Sequence, residues 1–229
     1  MGQFIHITAA DGFTLPAYVA TPEGQPRAAI VVLQEIFGVN SHIQQVTDRF
    51  AAQGYLAIAP ATFERVQPGV DLGYDEAGMA QGMALKAAVE ALPGAGVLQD
   101  IQAAIDHAAA HSGGKVGIIG FCWGGLLTWR AACGLSGLSA AVPYYGGGVT
   151  TDAEMARQPK VPVLAHFGER DHWISQESVA TFSKAHPEVE VHSYAADHGF
   201  NCDQRGSYDE AAAKLARERS LAFMAAQLG

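Results

Sequence analysis

Short, continuous apolar runs recur along the chain, separated by longer stretches of helical character. Residues 4–8 and 15–20 flank Asp11-Gly12, a pattern that predicts an opening β-hairpin. The run AAIVVL at 28–33 is apolar at every position, as in a strand buried on both faces of a parallel sheet. The same pattern returns at 56–59, 116–120, 140–143 and 161–167, with a more alternating segment at 189–194. Helices are predicted over 41–53, 79–91, 97–110, 126–133, 176–185 and 208–227. This alternation of strand and helix predicts an α/β fold with a mostly parallel central sheet and helices on both faces. Two places break the rhythm. Residues 62–78 form a long connection rich in Gly, Pro and acidic residues, and Gly146-Gly147-Gly148 follows Tyr144-Tyr145 at a strand end.

Composition adds little to this picture but removes several function classes. With 229 residues, 49% of them hydrophobic and 16% charged, residues 1–229 are expected to form a single domain. A net charge of −9 excludes the concentrated basic surface that nucleic acid requires. No run approaches the roughly 18 apolar residues of a membrane span, and the N-terminus lacks the basic and apolar regions of a secretory signal. Three cysteines without a CxxC pair suit a reducing compartment, so a cytoplasmic location is expected.

The candidate chemistry begins at VGIIG-FCWGG, residues 116–125. Gly120-Phe121-Cys122-Trp123-Gly124 matches G-x-nucleophile-x-G, with Cys where Ser is commoner. A strand that turns sharply into a helix leaves one side chain exposed at the sheet's end, and flanking glycines relieve the crowding. The helix that follows points its positive end at Cys122 and favours the thiolate. Cys133 reads as packing, and nothing in the local pattern of Cys202 activates it.

A thiol nucleophile needs an imidazole, and the imidazole needs a partner that fixes its tautomer. In this architecture the order is nucleophile, acid, histidine, each at the carboxyl end of a strand. Asp171 follows the run at 161–167, and His198 stands in a glycine-flanked loop after 189–194. Asp197 and Glu169 are rival orienters, but the strand-end rule favours Asp171. A metal site from His166, Asp171, His172 and His198 lacks HExxH-type or paired-ligand spacing, so no metal is expected. Two backbone N–H donors are needed for an oxyanion, and Trp123 and Ile36 are the candidates. Glu35 ends a buried strand, where a carboxylate is costly unless it is bonded or functional. A structural brace and a chemical role both remain open for it on these grounds.

QEIFGVN at 34–40, GFCWGG at 120–125, GERD at 168–171 and DHGF at 197–200 together resemble the dienelactone hydrolase (carboxymethylenebutenolidase) family. The likeness extends to RSLAF at 219–223 and so covers nearly the whole chain. It implies a Cys122–His198–Asp171 triad, with Glu35 beside the thiol and displaced by the entering substrate so that it deprotonates the cysteine. It also implies lactone hydrolysis in chloroaromatic breakdown, acting on a small molecule without metal or organic cofactor, as a monomer or homodimer. Phe37, Trp123 and Tyr144 are expected to line the pocket. The family's two carboxylate-binding arginines are not matched: residues 75–86 contain no arginine, and Cys202 stands four residues after His198. Arg205 is the expected substitute, with Lys86 and Arg65 as further candidates. The chemistry therefore transfers better than the substrate, and a thioesterase, an acyl transferase or a non-catalytic thiol sensor are the rival readings.

Overall fold

The computed structural model describes residues 2–229. Strands β1 (Gln3–Thr8) and β2 (Thr14–Ala20) form the expected hairpin, closed by one hydrogen bond from the Ala9 N–H to the Phe13 carbonyl and by the Asp11 carboxylate, which accepts from the Phe13 N–H. Six further strands complete one sheet: β3 (Ala28–Leu33), β4 (Tyr55–Pro60), β5 (Val116–Phe121), β6 (Leu138–Tyr144), β7 (Leu164–Gly168) and β8 (Glu190–Tyr194). Their order is β1-β2-β4-β3-β5-β6-β7-β8, parallel from β4 to β8 and antiparallel at the β1 and β2 edge. Every residue of β3, β4 and β5 is buried, which explains why these strands lack alternation.

The helices are α1 (Ser41–Ala52), α2 (Glu76–Glu90), α3 (Val97–Ser112), α4 (Trp123–Gly134), α5 (Asp152–Met155), α6 (Gln176–Ala185) and α7 (Glu210–Leu228). They lie on both faces of the sheet. A Cβ on Gly117 would meet Met224 of α7, whereas one on Gly120 would meet α4; these positions differ in parity along β5 and so point to opposite faces. Side-chain caps from Asn40, Asp75 and Asp209 start α1, α2 and α7.

Several boundaries depart from the sequence expectation for local reasons. Asp75 caps α2 three residues ahead of the expected start, shortening the long connection. The run at 161–167 pairs continuously only from Leu164, because Pro162 has no N–H to give the ladder. Strand and helix do not alternate throughout: α2 leads directly into α3, since the turn-rich residues 91–96 end one helix without supplying a strand. The short helix α5 carries no periodic signal at all. Among the described residues no helix is long and apolar enough to cross a membrane.

Candidate active site

Cys122 stands between β5 and α4 with φ 55° and ψ −116°, a conformation most L-residues avoid. Its N–H donates to the Tyr144 carbonyl at 3.1 Å, extending the parallel ladder one step past β5. Its own carbonyl accepts from Gly125 and Leu126, the first turn of α4. A Cβ on Gly120 would collide with the Gly124 carbonyl, and one on Gly124 would collide with the Gln34 carbonyl. The flanking glycines thus allow α4 to start against both β5 and the loop after β3. That start places the helix's positive end at the thiol.

His198 Nδ1 lies 2.7 Å from Asp171 Oδ2. The other carboxylate oxygen, Oδ1, accepts the backbone N–H groups of Trp173 and Ile174 at 2.8 and 3.2 Å. Asp171 is therefore fixed by its own loop, and it fixes the imidazole with Nε2 left for another partner. Burial pulls the His198 pKa down, but the Cys122 charge, the Asp171 and Cys122 hydrogen-bonding contacts and the Asp171 charge together raise it to about 10. Tyr145 packs its ring 5.1 Å from the imidazole. Glu169 is exposed, and Asp197 makes no hydrogen bond to the ring among the described residues.

A cavity of about 300 Å³ brings Cys122 and His198 together with Ile36, Phe37, Trp123 and Arg205. Among the described residues neither the Ile36 nor the Trp123 N–H has an acceptor, as an oxyanion site requires. The close packing of α2 holds Ile36 in place, because Gly82 presses on the Ile36 carbonyl where any Cβ would clash. Trp123 stacks on Phe63 at 5.0 Å and donates Nε1–H to Glu90.

Glu35 is buried, and its Oε1 accepts from Arg205 Nη1 at 3.0 Å. Burial works against the Arg205 charge, but Glu35 and its neighbours outweigh it and the guanidinium pKa rises. Arg205 lies over the Phe37 and Tyr74 rings at 5.6 and 5.8 Å, inside the cavity. Lys86 also lines the cavity but is paired to Glu90 at 2.8 Å. Arg65 is elsewhere, clamped by Asp11 and Asp100 at 2.8 and 2.7 Å.

Tyr144 corrects the sequence reading. It ends β6 with its hydroxyl 2.7 Å from Ser220 Oγ and its ring against His166, and it lines a separate crevice between α1 and α7. The positive φ of 35° at Tyr145 turns the chain at that point, so Tyr145 faces His198 instead. The expected pocket list also lacked Met79, Met83 and Trp173. The Tyr-Tyr-Gly-Gly-Gly break was the available signal for Tyr145; the other three had none. His166, Asp171, His172 and His198 do not form a metal site, because His166 spends both ring nitrogens on Tyr194 and Ser220 in the core. Cys133 and Cys202 are held as thiols by burial, which pushes them up to about 11 and about 12.

The chain resembles known proteins over most of its length. The profile of the Dienelactone hydrolase family matches residues 15–228. Carboxymethylenebutenolidases from Pseudomonas putida and Pseudomonas knackmussii are each 36% identical over 228 residues, covering 96% of this chain and 95% of theirs. A crystal structure from Klebsiella pneumoniae subsp. pneumoniae is 33% identical with a TM-score of 0.80, over 97% of this chain and 99% of that one.

Proposed function

The chain belongs to the dienelactone hydrolase family, and from that premise we propose that this hydrolase opens a lactone or carboxylic ester with Cys122 as nucleophile. The observation that carries the reading is one cavity in which a strained cysteine at a helix N-terminus meets His198 and Arg205, each held from behind by a carboxylate, Asp171 and Glu35.

The steps follow from the geometry. A carbonyl oxygen accepts from the Ile36 and Trp123 N–H groups while the thiolate attacks its carbon. Glu35 takes the thiol proton ahead of that attack, while His198, with its raised pKa, keeps its own proton for the leaving group. Collapse of the tetrahedral adduct expels the alkoxide or enolate, which takes a proton from His198. His198 then deprotonates a water that attacks the thioester, releasing the carboxylic acid and restoring the thiol. In a lactone the leaving oxygen stays tethered to the acyl chain.

Arg205 gives the site a preference. A substrate carboxylate competes with Glu35 for the guanidinium, and binding it frees Glu35 to take the thiol proton. This replaces the unmatched arginines with one residue, and it ties the release of Glu35 to the arrival of a carboxylated substrate. A dienelactone fits that requirement, and a place in aromatic breakdown follows from it. Mixing the protein with a dienelactone should consume the conjugated lactone's ultraviolet absorbance, with turnover abolished in Cys122→Ala. Equal turnover by that variant would overturn the mechanism.

A further inference from the structure

His42, Cys202 and Asp203 take no part in the reaction above, yet they bring three metal-ligating groups to one point. His42 sits in the first turn of α1, and Cys202 and Asp203 lie in the loop after His198. One ligand atom from each falls within 4.8 Å of the other two, and His42 Nδ1 is 3.2 Å from Asp203 Oδ1. Ligand atoms around a tetrahedral ion bound at about 2.0–2.3 Å stand roughly 3.5 Å apart. Closing the cluster on such an ion needs side-chain movement of ångström scale. Asp203, with its side chain 39% exposed, has the freedom to make it.

The donors also have the right character and access. His42 and Cys202 are wholly buried, while Asp203 leaves one side open for entry and for a water ligand. A thiolate with an imidazole selects zinc-class ions over magnesium or calcium, which prefer oxygen alone.

A second observation points the same way. His42 Nε2 and Glu35 Oε2 are both buried without a hydrogen-bond partner among the described residues. An ion on Nδ1 fixes the proton on Nε2; the two atoms lie beyond hydrogen-bond range here, so donation to Glu35 also requires side-chain movement. Metal-bound histidines ordinarily give their second N–H to a carboxylate or carbonyl in this way.

We propose that His42, Cys202 and Asp203 bind a thiolate-preferring divalent cation of the zinc class, and that the bound ion restrains Glu35. Binding expels the Cys202 proton to solvent and leaves a metal thiolate. The restraint rests on the role given to Glu35 above; the site itself does not.

Cobalt(II), which shares zinc's geometry and has a visible spectrum, tests the site on the full chain after chelator treatment. A thiolate-to-cobalt charge-transfer band should saturate at one equivalent and disappear on adding zinc. Cys202→Ser should abolish the band, and Asp203→Asn should weaken binding by roughly tenfold or more. No band, or a band that persists in a folded Cys202→Ser variant, overturns the site. Should that buried variant fail to fold, the exposed Asp203 decides, and an Asp203→Asn titration identical to the parent's overturns it too. For the restraint, one equivalent of zinc should slow hydrolysis of a neutral activated ester by the parent but not by Cys202→Ser. No slowing, or equal slowing in both, overturns the coupling to Glu35. Absence of hydrolysis in every sample overturns the functional reading and the coupling with it, while the cobalt result stands independently.

Discussion

Asp171 makes three hydrogen bonds with two oxygens, and only one of them reaches His198. The two backbone bonds hold the carboxylate still, so the imidazole tautomer is set by a rigid neighbour. Asp171→Asn should keep the fold and lower kcat by roughly three to four orders of magnitude through the wrong tautomer, with KM little changed. Steady-state kinetics on one ester checks this. The same residue pair dictates a pH dependence of stability. The folded chain raises the His198 pKa to about 10, against about 6.5 for a free histidine. The folded state therefore binds this proton more tightly, and the stabilisation is complete below about pH 6.5 and lost as pH rises through about 10. Urea unfolding of the parent and of His198→Gln should show a stability difference that shrinks across that window.

At the scale of elements, the site is assembled where strand ends meet helix starts. Gly82 lets α2 lie directly on Ile36, so one missing Cβ positions a proposed oxyanion donor carried by another segment. Gly82→Ala should push the loop outward and lower kcat by roughly a hundredfold, the cost of about an ångström of misplacement. Parallel denaturant curves separate this from loss of fold. This scale also explains what could be read from the chain alone. Cys122, Asp171 and His198 stood out as candidates because each follows the carboxyl end of a predicted strand, and strand patterns survive in sequence. Tyr144 was misplaced because alternation fails at the residue where φ turns positive, and that sign is invisible without a glycine. Arg65 looked available until two aspartates distant in sequence closed on it. The His42–Cys202–Asp203 cluster joins residues about 160 positions apart, and no local spacing announces such a meeting.

Over the whole molecule, an acidic chain directs one part-buried guanidinium into its cavity. Long-range charge repels an anionic substrate, so recognition of a carboxylate depends on Arg205 at short range. Arg205→Gln should lower the ratio of kcat/KM for carboxylated over neutral esters by roughly ten- to a hundredfold, the worth of a hydrogen bond to a charged group. An unchanged ratio would return Arg205 to a structural partner of Glu35. The variant should also lose stability by about 3–5 kcal/mol, because Glu35 is then buried without its partner.

The central claim is that the acyl group passes through sulfur at the elbow. The most direct measurement is rapid acid quench of the protein turning over a neutral activated ester, followed by digestion and mass spectrometry. An acyl mass on the peptide that contains Cys122, removed by hydroxylamine as a thioester is, is the predicted result. Steady turnover with the acyl group on another residue, or undiminished turnover in Cys122→Ala, would contradict it.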